Sequence, residues 1–324
     1  MRYELRQVTW QSPEADKLEA VKFSSGNYLW ATRSRLEAPW GDEIYGLVGA
    51  FSGDQCLGTT AYTLSARGQG ILSQVFTDPE YRGRGIGTAT LNGAIAAFRD
   101  QGARAVYLAA WEDWKRALYE RVGFRLVGAM GERHAYKLTL GPKGDDETLF
   151  APGQSACLRE LGPGDQGDVS ALFNAHHPGV VKHYGLECFL GSHFEGEFYA
   201  LQQDRQRPGV RALVLDGQQT ILGFATVLPS RRRHQTHRGT VDVLVHAHYA
   251  GRFPELLGAL HQDTPLESLV AYVEDSEDER RRVLEAAGYK AIGRLESGVR
   301  IGSEAYNLTM YEKRMGPTAR GRQG

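Results

Sequence analysis

Cysteine is scarce in this chain. Cys56, Cys157 and Cys188 are its three thiols, far apart and without the short spacings that bring thiolates onto one metal ion. An odd, scattered set excludes a disulfide framework and fits reduced thiols in a cytosolic protein. Long apolar runs are missing too. No segment approaches the length of a membrane-spanning helix, and the opening "MRYELRQVTW" has no apolar signal core. Nor is there a surplus of charge: 38 Lys and Arg stand against 39 Asp and Glu, which gives no reason to expect a nucleic-acid partner. The one basic run outside the region discussed below, "SRRRHQTHR" at 230–238, reads as a solvated loop. The expectation is a soluble, cytoplasmic protein that binds neither nucleic acid nor membrane.

What is present is patterned in two halves. A length of 324 residues is comfortable for two domains. The segment "LGPKGDDETLFAPGQSAC" (140–157) is rich in Gly, Pro and acidic residues and has no period, as expected of a linker. The expected division is a first domain at 1–141, a linker at 142–155, a second domain at 156–315 and a disordered tail at 316–324. The first half reads as a strand at Tyr3–Val8, then a helical region from about Pro13 to Tyr28. Two strands, Glu43–Phe51 and Cys56–Leu64, follow around an "SGDQ" hairpin turn, and a third runs Gly70–Thr77. In the next helix Leu91, Ala94, Ile95 and Phe98 form one apolar face. A strand at Ala105–Ala110, a helix at Glu112–Val122 and two closing strands complete the half. The second half replays this order, and "KRALYERVGFRLVG" (115–128) matches "RRRVLEAAGYKAIG" (280–293) in outline. A period this long implies duplicated domains.

The most informative stretch is "TDPEYRGRGIGTATLNGAIAAF" (77–98), where three glycines and two arginines precede an alanine-rich helix. A helix start leaves backbone N–H groups unpaired and carries partial positive charge, so it suits an anion rich in acceptor oxygens. Gly83, Gly85 and Gly87 clear the approach and permit unusual backbone angles, while Arg82 and Arg84 add charge. The nucleotide P-loop is excluded because its lysine and spacing are missing. The dinucleotide fingerprint needs its third glycine three places after its second, and here the interval is two.

"VFTDPEYRGRGIG" (75–87) closely resembles motif A of the GCN5-related N-acetyltransferases, the GNAT superfamily: Arg82, Gly85 and Gly87 match its Gln/Arg-x-x-Gly-x-Gly/Ala pattern. "ALYERVGF" (117–124) resembles motif B of that family. The resemblance implies an α+β fold in each half, a twisted, mostly antiparallel sheet with a splayed parallel strand pair and flanking helices. It also implies direct acyl transfer from acetyl-CoA, as co-substrate, to a small-molecule or peptide amine, with no metal. Val75, Phe76 and Thr77 would pair with the pantetheine arm, the Val75 N–H polarising the thioester carbonyl. Arg82, Gly83, Arg84, Gly85, Ile86 and Gly87 would hold the pyrophosphate. Tyr119 stands where the family places its general acid, on the edge of a core face carried by Trp114, Leu118 and Val122. For the base, Glu112, Asp113 and Glu43 are candidates and none is chosen. Glu112 also replaces an asparagine that touches the cofactor in many relatives.

In the second half "YRGRGIG" becomes "YAGRFPE" (249–255), and Leu284 replaces Tyr119. A degenerate copy is therefore expected, packed pseudo-dimerically on the first and shaping its cleft; the chain would be a monomer of this kind or a homodimer. Nine of ten histidines fall in this half, two of them in "HAH" (246–248), read as one face of a strand. They are expected to be surface or hydrogen-bonded groups. A non-catalytic acyl-CoA-binding regulator is the alternative to an enzyme.

Overall fold

The computed structural model describes residues 2–110, 113–130, 133–142, 148–177, 179–189 and 194–316. The chain opens with β1 (Glu4–Val8) and two helices, α1 (Glu14–Val21) and α2 (Gly26–Glu37). Three long strands follow: β2 (Ile44–Ser52), β3 (Gln55–Leu64) and β4 (Gln69–Thr77). Then come α3 (Ile86–Asp100), β5 (Ala105–Ala110), α4 (Asp113–Arg121), β6 (Arg125–Met130) and β7 (Arg133–Thr139). The second half has β8 (Ala156–Glu160), α5 (Gln166–Asn174), a short pair β9 (Val181–His183) and β10 (Cys188–Phe189), and α6 (Gly196–Asp204). It continues with β11 (Arg211–Gly217), β12 (Ile221–Pro229), β13 (Arg238–Val245), α7 (Phe253–His261), β14 (Ser268–Glu274) and α8 (Asp278–Ala286). Strands β15 (Lys290–Ile301) and β16 (Glu304–Arg314) close it. Among the described residues no helix is long and apolar enough to cross a membrane.

The fold is α+β, built on two seven-stranded mixed sheets. Their orders are β1-β2-β3-β4-β5-β7-β6 and β8-β11-β12-β13-β14-β16-β15. Relabelled from its own start, the second order is the first with the same crossing, so the duplication read from the sequence is a duplication of topology. Each sheet has one parallel pair, β4 with β5 and β13 with β14. The first ladder holds Gln69↔Ala105, Gly70↔Val106 and Ile71↔Tyr107, after which β4 continues to Thr77 and β5 to Ala110 without pairing. The strands part there. A bulge helps: the register of β3 on β4 shifts between Ser73 and Phe76, and Gln74 within it adopts a left-handed φ of 50°.

The helical region after β1 does not end at Tyr28. It continues, after a break at 22–25, as α2 to Glu37, whose first residue Gly26 has φ 54°. The buried face of α2 includes Thr32 and Arg35 beside Ala31 and Leu36, so polar residues hide the apolar stripe. The face of α3 is as the spacing predicts, with Leu91, Ala94, Ile95 and Phe98 all buried. The segment between the sheets is tied down rather than free: Leu149 and Phe150 are buried in the second core, and the Tyr249 hydroxyl donates to Ala151 O at 2.5 Å. Residues 143–147 of the expected linker, and 317–324 of the expected tail, lie outside the described residues.

Candidate active site

At the end of β4 the chain makes one 3₁₀ turn, Pro79–Tyr81, capped by Asp78, whose side chain accepts from the Glu80 N–H at 3.1 Å. Gly83 (φ 74°) and Gly85 (φ 79°) then bracket Arg84 in left-handed conformations before α3 begins at Ile86. A Cβ on either glycine would meet nothing within 4 Å, so the space ahead of the turn is open. No side chain caps α3, which leaves its first N–H groups to an outside acceptor. Gly87 serves differently: its φ is ordinary, but a Cβ there would lie 3.1 Å from Thr77 Oγ1, so its bareness lets the helix sit against the strand end. Arg82 and Arg84 are exposed on the rim, and Arg82 Nε donates to Thr77 O at 3.2 Å. The pattern Arg82–Gly87 thus forms a bare, positively charged concavity.

Beside it, where β4 and β5 part, lies a cavity of about 270 Å³. Gln74, Val75 and Phe76 line it from β4, Ala109 from β5, and Lys115 and Tyr119 from α4. Thr77 lies just beyond it at the strand end. Gln74 is held by Ser24, whose hydroxyl donates to Oε1, and by donating from Nε2 to Thr32 Oγ1 at 3.0 Å. Nothing in the sequence marks Gln74, whose left-handed backbone is visible only in the fold.

Tyr119 is not on the edge of a core face. It is only 4% exposed, with ring centroids of Phe124 and Tyr136 at 6.1 and 5.8 Å, whereas Leu118 and Val122 are half-buried. The rings of Phe124, just after the helix, and Tyr136, on β7, form the aromatic wall against which Tyr119 packs. Glu112, Trp111 and the side chains of Asp113 and Trp114 lie outside the described residues.

Glu43 is excluded as a base by its position. Its side chain is fully buried against Arg35, with Arg35 Nε 2.5 Å from Oε1. The same guanidinium donates to Gln166 of α5 at 2.8 Å and lies 4.2 Å from the Trp40 ring. Arg35 thus joins the first half to the second, and Glu43 is its ion-pair partner. Its carboxylate has no open side.

The second half keeps the splay and loses the cradle. The β13–β14 ladder also stops after three pairs, and a cavity of about 430 Å³ opens there, lined by Val243, Leu244, Val245 and Arg280. A 3₁₀ helix, Ala247–Arg252, runs straight into α7, and Gly251 is not left-handed. Arg252 pairs with Glu255, whose carboxyl it holds below the usual range, so a negative charge sits at the helix start. Leu284 is buried where the first half has Tyr119. The "HAH" segment is not a strand face, because β13 ends at Val245; His246 stacks on Phe150 at 4.4 Å and His248 Nδ1 contacts Phe150 O at 2.8 Å. Among the described residues no three His, Cys, Asp or Glu side chains are placed to share a metal.

The Acetyltransferase (GNAT) family profile matches residues 3–124. An uncharacterised N-acetyltransferase of Methanocaldococcus jannaschii is 44% identical over 55 residues, a match covering 16% of this chain and 24% of that protein. An N-acetyltransferase from Staphylococcus aureus Mu50 aligns in structure with a TM-score of 0.44 and 17% identity, over 50% of this chain and 99% of its own. The yncA protein of Salmonella typhimurium, solved with its cofactor acetyl-CoA, aligns with a TM-score of 0.43 and 18% identity, over 52% and 99%.

Proposed function

We propose, on the premise that residues 3–124 form a GNAT acetyltransferase domain, that this protein transfers an acetyl group from acetyl-CoA directly to a primary amine, using the first domain. The observation that carries the reading is the cradle: two left-handed glycines with open space before them, ahead of an uncapped helix, at the end of a strand that parts from its neighbour. Arg82–Gly87 would receive the pyrophosphate on backbone N–H groups and the α3 dipole. Val75, Phe76 and Thr77, past the last β4–β5 pair, offer backbone groups to the pantetheine arm, and the Val75 N–H is the proposed oxyanion donor. Acetyl-CoA supplies the activated thioester. Tyr119, on the cavity wall, donates a proton to the departing thiolate, and the attacking nitrogen releases its own proton to water. The second copy, with Glu255 at its helix start and Leu284 in place of a phenol, does no acyl transfer.

The test is an amine screen with detection of free thiol. Tyr119→Phe keeps the ring against Phe124 and Tyr136 and is expected to lower kcat roughly a hundred-fold. An unchanged kcat removes Tyr119 from the mechanism. If acetyl-CoA raises the melting temperature yet no amine releases thiol, the non-catalytic acyl-CoA-binding reading replaces this one.

A further inference from the structure

The cavity at the parting strands is not walled by the first domain alone. Glu195, which belongs to the second half, lines it together with Tyr28, Gln74 and Tyr119. It stands just before α6, and its backbone is pinned. Its carbonyl accepts from the N–H groups of Phe198 and Tyr199 at 3.1 and 3.3 Å, and its own N–H donates to Glu197 Oε2 at 3.2 Å. The next residue, Gly196, lies so close to α2 that a Cβ would be 3.4 Å from the Tyr28 hydroxyl. One turn on, Tyr199 meets the edge of the Tyr28 ring at a centroid distance of 5.2 Å. Gln166, whose side chain touches Glu195 O at 3.5 Å, accepts from Arg35 of the first half. The segment bearing Glu195 is thereby fixed to α2, and its side chain is held on the cavity wall at 5% residue exposure.

Among the described lining residues Glu195 is the one carboxylate; Tyr28, Tyr119 and Lys115 are the other titratable groups facing that space. A primary alkylamine in neutral water is an ammonium ion. A largely desolvated carboxylate recognises such a cation through charge-assisted hydrogen bonds, which are stronger than neutral ones. Taking the acyltransferase reading as given, we infer that Glu195 binds the ammonium end of the acceptor. The active site is then composite: the first domain holds the acyl donor, and the second selects a cationic acceptor slender enough for about 270 Å³. This assigns the degenerate copy a direct contact with substrate.

The experiment takes the full chain, the best acceptor from a series of short primary alkylamines, and the variants Glu195→Gln and Glu195→Asp. Glu195→Gln is expected to raise the acceptor KM roughly ten- to hundred-fold, the usual weight of a hydrogen bond to a charged group, with the acetyl-CoA KM within about twofold. Glu195→Asp recovers part of the loss. A second measurement needs no variant. The N,N-dimethyl analogue of the acceptor keeps the charge and one N–H donor but cannot form a stable amide, and it should compete in the wild type at least about ten-fold better than the neutral isopropyl analogue. Equal competition by the two analogues, or an unchanged acceptor KM in Glu195→Gln, overturns this inference and leaves amine acetylation standing. A wild-type protein that acetylates no amine overturns both readings.

Discussion

Asp168 shows how one buried side chain can make the whole protein sensitive to pH. It lies on α5, accepts from Thr220 Oγ1 at 3.1 Å, and feels Arg67 of the first half. Burial, opposed by that guanidinium and by bonds from Ser65 and Thr220, pushes its carboxyl from 3.8 up to about 6. The folded protein therefore holds this proton more tightly than the unfolded chain does. The associated stability is fully present below about pH 4 and is lost as pH rises through about 6, a swing of about 3 kcal/mol at 1.36 kcal/mol per pH unit. Asp168→Asn cannot titrate. Denaturant unfolding of the variant between pH 4 and 7 should lack this slope relative to wild type, and parallel profiles would refute the assignment. Residues at the candidate site divided by range. Gly83 and Gly85 were legible because the helix they precede follows them in the chain. The burial of Glu43 against Arg35 and the place of Glu195 on the cavity wall leave no local signature, because each depends on residues distant in the chain.

Among the elements, α5 packs tightly across the two halves. Gly167 packs so tightly on β4 that a Cβ would fall 2.0 Å from Gln69 O, at the first pair of the β4–β5 ladder. Alanine normally favours a helix by up to about 1 kcal/mol over glycine. Here Gly167→Ala must displace backbone, and a loss of about 1–3 kcal/mol in unfolding free energy is expected. Gly258 on α7, where a Cβ meets nothing within 4 Å, is the control: Gly258→Ala should be neutral or stabilising in the same melts. Strand and helix positions in both copies were largely readable from periodicity and turn residues. The second helix was not, since a stripe holding Arg35 and Thr32 looks solvated until their partners are known.

Across the whole molecule the two sheets share a core. Ala31, Ala105 and Tyr107 of the first half, with Leu149 and Phe150 of the connecting segment, belong to the same buried cluster as Phe173, Phe198 and Leu213. Gln166 accepts from the buried Arg35 guanidinium, so parting the halves would break a hydrogen bond to a charged group and expose the shared apolar cluster. Calorimetry should accordingly show one cooperative transition with matching calorimetric and van't Hoff enthalpies. Two resolved transitions would mean that the shared core contributes little to stability.

The chain by itself determined the duplication, the order of elements and the bare glycine turn at the start of α3. Each is written in neighbouring residues, through hydrophobic period, turn chemistry and glycines beside a helix start. Only the tertiary structure decided which carboxylates serve packing, that Tyr119 turns inward, and that Glu195 lines the cavity where β4 and β5 part. Those outcomes depend on which surfaces exclude water together, and no short stretch of sequence carries that information.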